Sequence, residues 1–172
     1  MNKKLYNTIN IFQECLLVFF MVGIIYLFFE VAWGTIKNPD GFKTFKNLLA
    51  MFIVGGSLGV IANRITPLIK NLPEKVQYII TTFIILFVEF WAGILINKLL
   101  GWGNWDYSEY PLNFLGQICL PFAFLWFLLS PLLLWISRIF RQQREIDTID
   151  LFDFIGIDEL GSMYRDLFLK WD

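Results

Sequence analysis

The sequence reads as an all-α membrane protein: four transmembrane helices followed by an amphipathic, cytoplasmic C-terminal helix. Three observations lead there. The 172 residues are 57% hydrophobic and 19% aromatic with only 17% charged, against about 45–50% apolar and about 25% charged in soluble proteins. The charges gather between long apolar runs instead of spreading along the chain. Beyond residue 144 the character changes, to a stretch with eight acids against Arg165 and Lys170, a net charge of −6.

Spans are expected over 11–36, 48–65, 76–100 and 115–136. A hydrocarbon core about 30 Å thick needs ~20 residues of helix, and only the second run is short. That run is also glycine-rich, yet without it the segments on either side would have to change orientation. Residues 1–144 then form the transmembrane domain and 145–172 the tail. Lys3 and Lys4 could open a signal peptide, but Asn7, Asn10, Gln13 and Glu14 follow and no small-residue cleavage site closes the run. The N-terminus is therefore expected to be retained.

Loop charge sets the orientation. With both termini cytoplasmic, ten Lys and Arg residues lie inside, among them Lys3, Lys4, Arg64, Lys70, Lys75, Arg138, Arg141 and Arg144. Four lie outside: Lys37, Lys43, Lys46 and Lys98. Trp33, Trp102 and Trp105 fall at the outer interface and Trp135 at the inner one, as an aromatic belt requires.

Composition also excludes chemistry. The absence of histidine removes His-dependent zinc sites, Ser-His-Asp triads and Cys-His dyads. No G-x-x-x-x-G-K-[ST] stretch occurs, so the chain is not itself a P-loop ATPase. No basic stripe suggests a nucleic-acid partner. Cys15 and Cys119 fall toward opposite faces and are expected as small apolar fillers. The chain is expected to have no cofactor, no metal and no enzymatic activity of its own.

The polar residues inside the spans carry the functional reading. Glu89, Gly93 and Asn97 recur every four residues on one face of the third helix, and Glu30 and Gly34 repeat a shorter version on the first. Leu27-Phe28-Phe29-Glu30 through Gly34 aligns with Leu86-Phe87-Val88-Glu89 through Gly93, a candidate parallel repeat. A carboxylate at this depth costs about 2.5–3.5 kcal/mol on insertion scales, so it should face protein or water. Glu30, Glu89, Asn97 and Gln117 are candidates for a substrate or proton path. Alternatively the acids are structural, hydrogen-bonded to Asn97, Gln117 or a backbone carbonyl. Gly55 and Gly59 form a G-x-x-x-G pair for close helix packing, inside one subunit or across a dimer.

Between the last two spans lies a loop dense in Trp105, Asp106, Tyr107 and Ser108. Asp106 and Ser108 suit a turn, and Asn113 stands where the fourth helix would take its N-cap. The same residues could instead form an outer gate or docking surface. Pro121 and Pro131 should kink the fourth helix. In the tail, Leu160, Met163, Leu167 and Trp171 share one helical face with Tyr164 and Phe168. An acidic helix is repelled by anionic lipid, so it should dock on protein: its own basic surface or a cytoplasmic partner.

Glu89-x-x-x-Gly93-x-x-x-Asn97, then Trp105-Asp106-Tyr107-Ser108, Pro111, Asn113, Gly116-Gln117-Ile118-Cys119-Leu120 and Trp126 resemble the bacterial family named putative ABC-transporter type IV permeases. The likeness covers about 83–135 strongly and the first two helices more weakly, through Glu30 and Val54-Gly55-Gly56. The resemblance implies a small bacterial inner-membrane protein that serves as a transporter component. The expectation is thus a multi-pass subunit surrounded by membrane lipid, homo-oligomeric, and energised by a separate ATPase through 63–77 and 145–172. The alternative is a non-transporting scaffold that presents its acidic tail to a soluble partner. An outer-face hydrolase or transferase using Asp106, Glu109 and Glu30 is a third reading.

Overall fold

The computed structural model describes residues 3–37, 44–143 and 157–169. In order these form α1 (Lys3–Lys37), α2 (Phe45–Ile69), α3 (Glu74–Gly93), a π-helical turn (Ile94–Leu99), α4 (Leu120–Gln143) and α5 (Ile157–Leu169). Among the described residues four stretches are long and apolar enough to cross a bilayer: Thr8–Ile36, Phe45–Ile69, Glu74–Leu99 and Leu120–Arg141. The fold is that of an all-α, multi-pass membrane protein. Among the described residues the sole β feature is a bridge between Phe114 and Ile118.

The α1–α2 seam is the tightest in the bundle. A Cβ on Gly55 would collide with Cβ of Tyr26, one on Gly56 would lie 2.7 Å from the Phe19 ring, and one on Gly59 would lie 2.7 Å from Cβ of Val22. The glycine pair read from sequence therefore brings two helices of the same chain together, as small residues do where lipid supplies no hydrophobic drive between helices. The α2 residues Ala50, Met51, Val54 and Leu58 continue this core toward Ile85 of α3. By contrast α1 touches α4 only lightly. Val18 and Val22 meet Ile136 near one end, and beyond them the two helices meet through the ring pairs Tyr26–Trp126 and Trp33–Phe122.

Helix bounds differ from the expected spans for identifiable reasons. The second helix extends past 65, through Pro67, to Ile69. A proline removes the donor that would bond the carbonyl four residues back, here that of Asn63. Arg141 replaces it: its Nη1 donates to the Asn63 carbonyl at 3.1 Å. The fourth helix starts at Leu120, not 115. Leu112 and Leu115 take positive φ (50° and 52°) and Gly116 follows at 70°, a left-handed backbone that no helix can contain. Pro121 consequently sits in the first turn, where a missing N–H costs nothing, and no kink is needed there. Asn113 is not the N-cap: it lies seven residues before the helix and serves the loop instead.

The start of α1, the α2–α3 turn, the end of α4 and α5 gather at one end of the bundle. Arg138 ties the last three: Nη1 donates to Glu159 of α5 at 3.0 Å and Nη2 to Gln77 Oε1 at 3.2 Å, with Glu74 at 3.7 Å. Met163 and Leu167 of α5 bury against Ile69, Tyr78 and Leu134; full burial of such side chains contributes roughly 1.5–3 kcal/mol each. The described part of the tail thus docks on its own chain. Trp171 and Arg144 lie outside the described residues.

Filling the α1–α2 seam should separate the two helices. Gly59→Leu is expected to cost about 1–3 kcal/mol through overpacking and to lower the thermal midpoint followed by tryptophan fluorescence in detergent. Gly161→Ala, which meets nothing within 4 Å, should hold or slightly raise that midpoint.

Candidate functional site

Where α1 and α4 touch only lightly there is a cavity of about 820 Å³, floored by α3 and roofed by residues 103–107 of the 101–119 loop. Glu89 lies in its wall and is only 3% exposed. The Tyr26 hydroxyl of α1 donates to its Oε1 at 2.7 Å, and Trp126 Nε1 of α4 donates to its Oε2 at 2.7 Å. The two aromatic rings stack on each other, 5.6 Å apart and 13° from parallel. Hydrogen bonds to a charged group contribute about 1.5–3 kcal/mol each, enough for two to offset the insertion cost of the acid. Each carboxylate oxygen retains a second lone pair, so the group is held without being saturated.

Glu30 lines the same cavity. It lies four residues beyond Tyr26 on α1, hence on the same helical face. Trp105, Asp106 and Tyr107 of the loop complete the wall at the far end, with Asn47, Asn104 and Trp33 nearby. Tyr107 stacks on Phe122 at 4.4 Å. Burial first, then the charges of Glu89 and Glu30, raise its phenol well above the ordinary range. It remains a neutral hydrogen-bonding group at any physiological pH.

Asn97 and Gln117 are placed elsewhere. Asn97 Nδ2 donates to Gln117 Oε1 at 2.9 Å, and Asn97 Oδ1 accepts the Asn104 amide at 2.7 Å. The Gln117 carbonyl accepts from Trp105 Nε1 at 3.0 Å. Neither amide lines the cavity; together they fasten the loop to α3. The π-helical turn is why the four-residue stripe breaks at this point. Its wider winding carries Asn97 away from Glu89, and Gly93 leaves the space that Gln117 enters.

The loop holds itself by the turn chemistry its residues allow. Asp106 Oδ1 accepts the Ser108 amide at 2.9 Å and the Ser108 hydroxyl at 2.5 Å. Asn113 Nδ2 donates to the Ser108 and Tyr110 carbonyls, both at 3.0 Å, while its Oδ1 accepts the Gly116 amide at 3.2 Å. Gly116 combines φ 70° with no room for a Cβ, since Asp106 Oδ1 would be 2.5 Å away.

A second buried acid, Glu14 of α1, is 5% exposed at the opposite end. Asn63 Nδ2 donates to it at 2.6 Å and Arg141 stands at 3.9 Å. Sequence reasoning used Glu14 only to mark a polar start and did not find Tyr26. A tyrosine one turn before Glu30 was the available signal. Both cysteines are free thiols. Among the described residues no group of three or more Cys, Asp and Glu is placed to hold a metal.

A family model described as "Putative ABC-transporter type IV" matches residues 17–153. No solved structure matches the chain.

Trp126→Phe keeps the ring but removes the donor to Glu89. It should cost about 1–3 kcal/mol for the lost partner, read as a lower thermal midpoint, with exposed Trp91→Phe as the neutral control. For Asp106, the Ser108 hydroxyl and amide hold the folded carboxyl below its ordinary 3.8. A depressed pKa contributes order above the unfolded value and loses it as pH falls through the folded one. The Ser108 amide resonance should accordingly keep its position down to about pH 3.8 and move only below it, whereas Asp106→Asn should shift it already at neutral pH.

Proposed function

Because the chain belongs to the putative ABC-transporter type IV family, we propose that it acts as the membrane-spanning subunit of a transporter whose substrate site is the cavity between α1 and α4. One observation carries this reading: Glu89 stands in the wall of that cavity with both oxygens held by Tyr26 and Trp126. An ionisable group inside a membrane domain, facing a cavity rather than a filled seam, is the arrangement that pathways use.

In this reading the chain is not an enzyme, and energy comes from a separate ATPase, since the sequence holds no phosphate-binding loop of its own. The ATPase docks at the α5 end, which we orient to the cytoplasm, where Arg64 and Lys70 are exposed beside the α2–α3 turn. Four spans enclose little volume, so subunits assemble as homo-oligomers in the lipid. The scaffold alternative receives less support: Met163 and Leu167 of α5 are buried against its own bundle, which leaves Phe168 and Leu169 as its exposed apolar side chains among the described residues.

The test is isolation of the full chain from its native host in mild detergent. An ATPase should co-purify and be lost on Arg64→Glu combined with Lys70→Glu, with insertion unchanged. Consistent recovery of the chain without any ATPase overturns the energised-transporter reading.

A further inference from the structure

The cavity has a chemical bias that the transporter reading leaves unspecified. Its lining includes three carboxylates, Glu30, Glu89 and Asp106, and among the described residues no lysine or arginine. The field inside favours cations and opposes phosphate or carboxylate ligands. Around Glu89 the walls are aromatic, with Tyr26 stacked on Trp126 and Tyr107 stacked on Phe122. Ring faces attract an ammonium group and do so best where water is excluded.

The remainder of the cavity is apolar and elongated. From Trp126 the α4 side continues through Leu129, Leu132, Leu133 and Ile136, ten residues or about 15 Å at 1.5 Å per residue. Glu30 stands one helical turn beyond Tyr26 on α1, and Tyr26 is the residue that donates to Glu89, so both acids flank the same tyrosine in the cavity wall. The cavity wall also includes Phe29 of α1 and Leu125 of α4, which stay 49% and 41% exposed. Both sit in segments long and apolar enough to cross the bilayer, so this flank of the cavity lies at the depth of hydrocarbon.

Resting on the transporter reading above, we propose that the ligand is an amphiphilic organic cation, entering sideways from the bilayer between α1 and α4. Its ammonium head lies at Glu89 and Glu30 among the aromatic rings, and its alkyl chain lies along Leu129, Leu132 and Ile136. A small hydrophilic cation would leave the apolar stretch along α4 unfilled, and an amphiphilic anion would place its charge against the acids.

The probe is radiolabelled decyltrimethylammonium, bound at equilibrium to the full chain in phosphatidylcholine nanodiscs, with empty nanodiscs subtracted. Saturable binding is expected, at least tenfold tighter than for tetramethylammonium and not displaced by decyl sulfate. Glu30→Gln and Leu129→Trp should each weaken it tenfold or more; Glu89→Gln should do the same, and if that variant does not fold the other two decide. Absence of saturable binding, equal affinity for tetramethylammonium, displacement by decyl sulfate, or unchanged binding in Glu30→Gln and Leu129→Trp each overturns the proposal. The binding needs no ATPase, so the two readings fail separately. A chain that binds the probe but recovers no ATPase keeps the site and loses the energised transporter; one with an ATPase and no binding does the reverse.

Discussion

One carboxylate organises the centre of this molecule. Glu89 of α3 is gripped from α1 by the Tyr26 hydroxyl and from α4 by Trp126 Nε1, so three helices meet on a single acid. Because α1 and α4 otherwise touch lightly, this junction spans a gap that packing leaves open. The rings that donate to the acid also stack on each other, which fixes both donors without closing the cavity beside them. A filled seam would have needed no such bridge, and an unbridged gap would have left the acid without partners in a medium that offers none.

Polar glue recurs wherever two elements must be held at a defined distance. At the loop end the Asn97–Gln117 amide pair fixes the 101–119 roof to α3, with Asn104 reaching the Asn47 carbonyl of α2 at 3.3 Å. In the middle, the Thr82 and Ser130 hydroxyls meet at 2.9 Å between α3 and α4. At the other end Arg138 joins α3, α4 and α5. The α1–α2 seam combines shape, with glycines facing large side chains, with the Asn63–Glu14 hydrogen bond at one end. Among the described residues the bundle is thus closely joined along α1–α2 and at both ends, with the cavity beside Glu89 between them.

Helix number and the existence of the tail helix were legible because apolar runs of bilayer length and a helical-period face are properties of the chain alone. What escaped the sequence was set by partners distant along it. The start of α4 at Leu120 depends on left-handed residues at 112, 115 and 116, which apolar leucines do not advertise. The persistence of α2 through Pro67 depends on an arginine 74 positions later. Glu89 could be picked out as an acid among apolar residues, but its partners Tyr26 and Trp126 stand 63 and 37 residues away. The four-residue stripe suggested that Asn97 would join Glu89; the π-helical turn sends it to the loop instead.

The Arg141 bond to the Asn63 carbonyl bears on how the chain is assembled. A helix ordinarily completes its own hydrogen bonding as it forms, but this carbonyl in α2 has its donor on a segment made two spans later. Until α4 is made, that oxygen depends on water at the membrane boundary, and its protein donor arrives only with the Arg141 guanidinium. The last transmembrane segment thereby supplies a hydrogen bond that the second cannot make for itself.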